Sequence, residues 1–193
     1  MARVLVPLAA GFEEIEAVTV IDILRRAEIE VVVASLEPGL VRGSHGIEIA
    51  ADQDLDAVLD QRFDLIALPG GMPGAANLRQ DQRVIAMLRD TVKHGGMTAA
   101  ICAAPMVLAA AGLLQGRRAT SYPGSLDKTE VAGLTLEDEP VVTDGNQITS
   151  RGPGTAMDFA LALVENLRGN EQRQRVEQAL QRPAAKTGGI QPK

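Results

Sequence analysis

Hydrophobic positions along the chain alternate between two spacings. Short runs rich in β-branched residues are separated by longer stretches in which apolar residues recur every three or four positions, and these two patterns are typical of strands and helices. The runs RVLVPL and DLIALPG are apolar almost without interruption, which favours parallel strands covered on both faces. The chain is therefore predicted to form an α/β, doubly wound three-layer sandwich. Predicted strands cover 3–8, 30–35, 64–70, 98–102, 118–121, 140–145 and 147–150, and predicted helices cover 13–27, 81–94, 105–112, 155–168 and 171–181.

The last two predicted strands differ from the others because a short turn joins them. Asp144, Gly145 and Asn146 separate the two β-rich runs, and this turn chemistry indicates a hairpin. We expect a small antiparallel appendage here, beside a mostly parallel sheet. Residues 1–182 are predicted to form a single domain, and residues 183–193, rich in Pro, Gly and Lys, a flexible C-terminal tail.

Composition restricts the classes of function. The 193 residues are 46% hydrophobic, which is enough for one sizeable core, and the net charge of −6 with 2% aromatic residues gives no indication of nucleic-acid binding. No apolar run is long enough to span a membrane, and early glutamates argue against a signal peptide. A single cysteine allows no internal disulfide, and no Cys/His spacing predicts a metal site. We therefore expect a cytoplasmic protein that acts on small molecules.

The only cysteine lies in the stretch TAAICAAPMVL. Cys102 ends a predicted strand, and Pro105 stands where a helix can begin, because the first turn of a helix tolerates the missing N–H of proline. Such a strand-to-helix elbow raises a nucleophile above a sheet, and a helix N-terminus favours the thiolate. Free cysteines are also among the most buried residues, so an unreactive core thiol remains an open alternative.

Three glutamates begin the first predicted helix. Acidic residues in the first turn complement the helix dipole, and this role explains most such residues. Glu16, however, borders the apolar face of the helix, whereas Glu13 and Glu14 are expected to reach water. Burial of Glu16 would raise the pKa of its carboxyl group and let it carry a proton near neutral pH.

Several motifs together resemble the ThiJ/PfpI superfamily, in the branch of the Parkinsonism-associated deglycase and bacterial YajL. These motifs are LPGG, AAICAAP and TSRGPGT, preceded by GFEEIEAV and DILRRA, and they stand in the family's order along nearly all of the chain. The resemblance implies a flavodoxin-like three-layer sandwich, usually a homodimer, with no metal or organic cofactor. It implies that Cys102 is the nucleophile, that Glu16 is the protonated partner of the thiol, and that the Gly71 and Ala103 N–H groups bind an oxyanion beside Gly70.

The sequence departs from the family pattern near the cysteine. Tyr122 stands where animal members carry a histidine, and Ala103 follows the nucleophile where other branches have a histidine. The resemblance places His45 where relatives often have an arginine near the partner's cleft, although His45 also suits a plain turn. Arg26 resembles a family arginine near the dimer contact, with a solvated helix end as the alternative. Pro153 belongs to a turn that in the family packs against the cleft and the dimer interface.

The resemblance implies two functions that use the same residues. The first is cysteine-dependent detoxification of 2-oxoaldehydes, through a glyoxalase III-like conversion of methylglyoxal to lactate or a deglycase action on early glycation adducts. The second is oxidative-stress sensing by a redox-regulated chaperone. Neither histidine is placed to serve a protease as a base, and the segment GGMPGA lacks the ending of a nucleotide-phosphate loop. The sequence does not decide between the two.

Overall fold

The computed structural model describes residues 2–126 and 131–182. The predicted tail at 183–193 lies outside the described residues, so its flexibility stays a prediction. The helices of this described part are α1 (Glu14–Arg26), α2 (Gly74–Gln80), α3 (Gln82–Lys93), α4 (Pro105–Ala110), α5 (Ala156–Arg168) and α6 (Asn170–Ala179), with 3₁₀ turns at Leu55–Val58 and Pro153–Thr155. The strands are β1 (Arg3–Leu8), β2 (Glu30–Ser35), β3 (Leu40–Arg42), β4 (Glu48–Ala50), β5 (Gln53–Asp54), β6 (Leu65–Leu68), β7 (Met97–Ile101), β8 (Arg118–Ala119), β9 (Thr135–Leu136), β10 (Val141–Asp144) and β11 (Gln147–Ser150).

Seven of these strands form the central sheet, in the order β10-β11-β7-β6-β1-β2-β5. Within the described part of the chain, the β10–β11 pair of this sheet is antiparallel and every other pair is parallel. The predicted α/β class, with a mostly parallel sheet and a small antiparallel hairpin, is therefore confirmed.

Helices cover both faces of the sheet. Val4 and Val6 of β1 pack in a core with α1, α5 and α6, whereas the intervening Leu5 packs with residues of α2, α3 and α4. Alternate side chains of a strand point to opposite faces, so a strand covered on both sides must be apolar at every position. This requirement explains the uninterrupted apolar runs and gives the predicted three layers.

Two predicted strand features differ in the structure. The strand expected at 118–121 is only β8, which pairs with β9 outside the central sheet, because β11 occupies the place beside β7. The hairpin is not an appendage, since all four residues of β11 are buried and pair in parallel with β7. Thr120 still connects to this sheet, because its N–H donates to the Thr149 hydroxyl oxygen at 2.9 Å.

Helix α2, the β3–β4 hairpin and the two-residue strands β5 and β9 were not predicted from the sequence. Helix α2 follows a turn rich in Gly and Pro, and its seven residues are too short to display a helical period. Strands β3 and β4 form a small antiparallel hairpin whose six residues are mostly exposed, so they lack a clear apolar pattern. The loop of this hairpin covers the start of α1, where it contributes to the candidate site.

The carboxyl ends of β1, β6 and β7 lie side by side in the middle of the sheet. After β1 the chain turns to β2 on one side, whereas β6 and β7 lie on the other, so the strand order reverses between β1 and β6. Open α/β sheets bind ligands at such a point. Among the described residues, no helix has both the length and the apolar character needed to cross a membrane.

Candidate active site

Cys102 follows β7 in a backbone conformation that places its thiol at the carboxyl ends of the central strands. Its φ of 62° lies in the left-handed region, which residues other than glycine seldom adopt. Three hydrogen bonds fix the turn: the Cys102 N–H donates to the Ser150 carbonyl at 2.9 Å, and the Cys102 carbonyl accepts from the Tyr122 N–H at 2.8 Å and the Ser125 hydroxyl at 3.2 Å. Pro105 then begins α4. The predicted strand-to-helix elbow is therefore present.

Two backbone N–H groups face the sulfur of Cys102. They belong to Gly71, in the turn after β6, and to Ala103, the next residue of the elbow, and both lower the pKa of the thiol. Because amide groups at fixed positions stabilise negative charge in a partly buried site, this pair can hold a thiolate or an oxyanion formed next to it. The Cys102 side chain itself is almost buried, with 9% of the residue exposed.

Glu16 lies in the first turn of α1 and is fully buried. Its Oε2 atom accepts a hydrogen bond of 2.7 Å from the Gly70 N–H, whereas its Oε1 atom is buried without a hydrogen-bond partner among the described residues. Burial raises the pKa of the carboxyl group to about 7, although the Gly70 N–H and the nearby Cys102 thiol both act to lower it. Glu16 can therefore exchange a proton near neutral pH.

The thiol and the carboxyl group titrate as a coupled pair. Burial raises the pKa of Cys102 to about 12, and the charge of ionised Glu16 is the second cause. The pair thus loses one proton near pH 7 and keeps the other until the solution is strongly alkaline. In one form of the singly ionised pair Glu16 keeps the proton, and the charge lies on the sulfur, facing the N–H groups of Gly71 and Ala103.

Glycine is required between these two side chains. A Cβ atom on Gly70 would lie 2.7 Å from Glu16 Oε2 and 2.8 Å from Cys102 Cβ, so any larger residue would collide with both groups. Gly71 has a φ of 87°, and a Cβ atom there would lie 2.3 Å from the Glu13 backbone nitrogen. The two glycines therefore bring the turn after β6 into contact with the start of α1 and with Cys102.

Glu13 and Glu14 are buried, which corrects the expectation that they reach water. Glu13 caps α1, because its Oε2 atom accepts from the Glu16 N–H at 2.8 Å. The loop between β3 and β4 covers Glu14, whose Oε1 atom accepts from the His45 N–H at 2.7 Å. Burial alone would raise the pKa of Glu14, but hydrogen bonds from His45 and Ile47 outweigh it and lower the pKa to about 2. Glu14 therefore ties α1 to this loop.

His45 is exposed and contacts these glutamates. Its Nδ1 atom lies 3.0 Å from Glu14 Oε2 and 4.0 Å from Glu13 Oε1, and the Glu14 side chain raises the pKa of the imidazole. Ligand atoms of Glu13, Glu14 and His45 lie within 4.8 Å of one another, so in the described part of the chain this is the group able to hold a metal ion. Glu14 already accepts hydrogen bonds at both of its carboxylate oxygens.

Two of the remaining predicted residues, Tyr122 and Pro153, lie near the thiol. Tyr122 lines a cavity of about 460 Å³ together with Cys102, Gly71 and Ala103. Pro153 is half-buried in the turn beside it, since a Cβ atom on Gly152 would lie 3.4 Å from the Tyr122 ring.

Arg26 lies far from the thiol of its own chain. It ends α1 in an ion pair with Asp22 at 2.7 Å, about 15 Å along the helix axis from Glu16.

A second, larger cavity lies at the amino ends of the strands, away from the thiol. Its volume is about 1010 Å³, and its lining includes Phe63, His94 and Met97, which lie next to the amino ends of β6 and β7. The Nδ1 atom of His94 lies 2.9 Å from the Asp90 carbonyl at the end of α3, close to where the predicted helix over 81–94 ends. The smaller cavity, and not this one, contains the candidate nucleophile.

Met72, Met106 and Ser125 line the cleft and were not singled out from the sequence. The two methionines line the cavity that contains the thiol, and the Ser125 hydroxyl donates to the Cys102 carbonyl. Isolated methionines and a loop serine have no distinctive pattern in a single sequence. The segment GGMPGA did contain a signal for Met72, because it follows a glycine that the family resemblance already placed beside the nucleophile.

Known proteins resemble this chain over most of its length. Residues 2–166 match the model of the DJ-1/PfpI family. Protein dj-1beta of Drosophila melanogaster is 44% identical over 177 residues, which cover 91% of this chain and 95% of that protein. A Pyrococcus abyssi protein named deglycase is 37% identical over 166 residues, which cover 86% of this chain and 99% of that protein.

A solved structure described as Toxoplasma gondii DJ-1, oxidized, has the same fold. It superposes with a TM-score of 0.86 at 42% identity, covering 93% of this chain and 98% of that one. The match to the family model, the relatives aligned over nearly their whole length and the shared flavodoxin-like fold lead to one conclusion: the chain belongs to the DJ-1/PfpI family.

Proposed function

We propose that the protein is an enzyme that converts reactive 2-oxoaldehydes such as methylglyoxal to 2-hydroxy acids, with Cys102 as the nucleophile and without a metal or organic cofactor. One observation carries this proposal: the thiol faces two backbone N–H donors, and a buried carboxyl group with a pKa of about 7 lies next to it. Nucleophile, oxyanion site and proton carrier are the three groups that this reaction needs.

The first step joins the thiolate to the aldehyde. The Cys102 sulfur forms a bond to the aldehyde carbon, the carbonyl π-bond breaks, and the new oxyanion is held by the Gly71 and Ala103 N–H groups. Protonated Glu16 then gives its proton to this oxygen, which yields a neutral hemithioacetal and leaves Glu16 as a carboxylate. Because the substrate oxygen takes up negative charge as the sulfur loses it, the same donors serve both groups.

The second step moves hydrogen between the two carbons. The Glu16 carboxylate removes the proton of the former aldehyde carbon, whose electron pair forms a double bond to the neighbouring carbon and gives an enediolate. The hydroxyl proton passes to the second oxygen, and Glu16 returns its proton to the second carbon, which leaves a thioester. Water hydrolyses the thioester, so methylglyoxal plus one water gives lactic acid and the free thiol.

The same chemistry supports a deglycase action. Early adducts of 2-oxoaldehydes with amines and thiols re-form the aldehyde reversibly, so an enzyme that consumes the aldehyde also removes the adduct. Relatives from Pyrococcus abyssi and Pyrococcus horikoshii are named deglycases, and they support a role of this type or a related stress response in the family. We therefore include removal of such adducts in the proposed function.

The alternative is a redox sensor. The Gly71 and Ala103 N–H groups that face the sulfur can also bind sulfinate oxygens, and a solved relative is described as oxidized. In this case two equivalents of peroxide oxidise the Cys102 thiolate, first to sulfenate and then to sulfinate, with water as the reduced product. A chaperone or partner-binding activity would then follow the oxidation state of Cys102.

We also propose that the protein is a homodimer. The outer face of α1 exposes Ile15 and Val18, at 57% and 49%, and Ile47 in the neighbouring loop is 57% exposed. The Ile47 N–H donates to Glu14, so this loop lies against the start of α1. A second copy of the chain is the simplest partner to bury these apolar side chains.

A cytoplasmic location stays a prediction from the single cysteine.

The decisive experiment measures turnover by reduced, metal-free protein. Methylglyoxal loss and lactate formation are followed together, with intact mass recorded to detect oxidation of Cys102. The proposed function predicts catalytic lactate formation, equal to the methylglyoxal lost, by protein that remains unoxidised. Protein that forms no lactate but gains two oxygen atoms with peroxide would favour the sensor.

A further inference from the structure

The cavity above Cys102 has an apolar, uncharged wall. Nine described residues line it, and none of them carries a charged side chain. Its volume of about 460 Å³ falls within the ~300–1,000 Å³ of ordinary ligand pockets. Methylglyoxal, with three carbons, fills only a small part of this space, so the cavity can hold a substrate with a larger substituent.

Tyr122 forms a fixed part of this wall. Its N–H donates to the Cys102 carbonyl at 2.8 Å, and its carbonyl accepts from the Ser125 hydroxyl at 2.8 Å. The ring packs toward Gly152, where a Cβ atom would lie 3.4 Å away, yet 52% of Tyr122 remains exposed. The backbone of Tyr122 is thus attached to the elbow of the nucleophile, while its ring offers an open aromatic face.

Met72 is another part of this wall. It follows Gly71, whose N–H faces the sulfur, and 56% of Met72 is exposed. Met106, one residue into α4, completes the apolar lining and is half-buried. Flexible thioethers and an aromatic face that line one cavity are well suited to contact an aryl group.

Electrostatics act against an anionic substrate at this site. Glu16 and Cys102 share a negative charge once their first proton is lost, and the described lining offers no cation to offset a second charge. Among the described residues, Arg151, which precedes Gly152, pairs with Asp138, His45 contacts Glu13 and Glu14, and Arg26 pairs with Asp22. An oxoacid such as glyoxylate therefore meets repulsion, whereas a neutral aldehyde does not.

We propose that the cleft selects uncharged 2-oxoaldehydes with an aryl or other bulky apolar substituent, and that Tyr122 and Met72 determine this selectivity. This inference rests on the proposed function and adds the substrate class. Burial of an aryl group against the Tyr122 face contributes about tenfold in kcat/KM relative to a methyl group.

The test compares phenylglyoxal, converted to mandelate, with methylglyoxal, converted to lactate. Tyr122→Ala is expected to lower the ratio of the two kcat/KM values about tenfold, and Met72→Ala to lower it in the same direction. Tyr122→Phe keeps the aromatic face and should retain the ratio. Leu59→Ala, at an exposed apolar residue near the opposite edge of the sheet, is the control and should also retain it. An unchanged ratio in Tyr122→Ala, or an equal loss in Tyr122→Ala and Tyr122→Phe, would overturn the inference.

A second arm measures binding without turnover. Iodoacetamide alkylates Cys102, which is the only cysteine, and intact mass reports the rate. Acetophenone, a neutral aryl ketone, is expected to slow alkylation of the wild type but not of Tyr122→Ala, whereas the anion benzoate should protect neither. Equal protection by benzoate and acetophenone would contradict the inference. If the wild type converts neither aldehyde, the proposed function fails, and the alkylation arm still decides whether the cleft prefers neutral aryl groups.

Discussion

Cys102 holds a left-handed backbone conformation because its neighbours supply hydrogen bonds to both of its peptide groups. For a residue with a Cβ atom this conformation costs about 1–3 kcal/mol. The Ser150 carbonyl, the Tyr122 N–H and the Ser125 hydroxyl offset that cost, and together they hold the thiol against the Gly71 and Ala103 N–H groups. A strained residue beside such donors is typical of functional sites.

Glu16 makes the stability of the fold depend on pH. Burial raises the pKa of its carboxyl group from 4.5 to about 7, so between these values the unfolded chain loses this proton while the folded chain keeps it. Stability from this group is therefore greatest below pH 4.5 and is lost as the pH rises through 7. Glu16→Gln removes the effect, and its unfolding free energy relative to the wild type should increase by about 3 kcal/mol from pH 4.5 to pH 8.

Urea unfolding of both proteins across this pH range measures the difference. Glu48→Gln, at an exposed glutamate of β4, is the matched control and should follow the wild type. Lactate formation measured on the same samples should be lost in Glu16→Gln, because an amide donates a hydrogen bond but cannot carry a proton between carbons. A constant difference in stability at all pH values would contradict the raised pKa, and full activity would contradict the proton shuttle.

At the level of elements, the site depends on two turns that contact each other. The turn after β6 meets the start of α1 at Gly71, where a Cβ atom would lie 2.3 Å from the Glu13 nitrogen. Gly112, just beyond α4, has a similar positive φ of 77°, but a Cβ atom there would meet no described atom within 4 Å apart from its own chain neighbours. Both glycines therefore have a left-handed backbone conformation, but only at Gly71 would an added Cβ atom collide with another part of the chain.

Gly71→Ala and Gly112→Ala separate these effects. Both should lose about 1 kcal/mol of stability through the left-handed backbone. Only Gly71→Ala should lose more than this and also lose carbonyl turnover, because its Cβ atom displaces the start of α1 and the N–H that faces Cys102. Urea unfolding and lactate assays check both variants, and equal stability with equal activity would show that the contact between the turns is unimportant.

The strand pattern predicted the central sheet well because strands covered on both faces are apolar at every position. β1, β2, β6 and β7 lie where the apolar runs stand. Only the two residues of β8 form a strand within the predicted range 118–121, and they lie outside the central sheet. The local sequence pattern cannot show that β11 occupies the place beside β7. The β3–β4 hairpin was missed for a related reason, since its exposed side chains leave no periodic signal.

The site was predictable where a single turn contains the information. The elbow at Cys102 and the glycines at 70 and 71 follow from short motifs and their resemblance to a family. Burial of Glu13 and Glu14 was not predictable, because it depends on a loop about thirty residues away that includes His45. Burial by residues distant in the sequence is visible only in the three-dimensional structure.

At the scale of the whole molecule, the exposed apolar face of α1 predicts self-association. The wild type should sediment at about twice the chain mass of 20.4 kDa at micromolar concentration. Val18→Asp places a charge in this face and should shift the mass toward that of one chain, whereas Leu59→Asp, at an exposed residue elsewhere, should not. A wild-type mass near 20.4 kDa would contradict the dimer.

The proposed chemistry depends on one sulfur atom, so the most direct measurement removes it. Cys102→Ser is nearly isosteric, but its hydroxyl hardly ionises at neutral pH, so it is a far poorer nucleophile than the thiolate. Lactate formation from methylglyoxal is compared in reduced wild-type protein and in Cys102→Ser, after thermal unfolding has established that both are folded. We expect catalytic lactate formation by the wild type and only the uncatalysed background with the variant. Equal lactate formation by both proteins would contradict a nucleophilic role for Cys102.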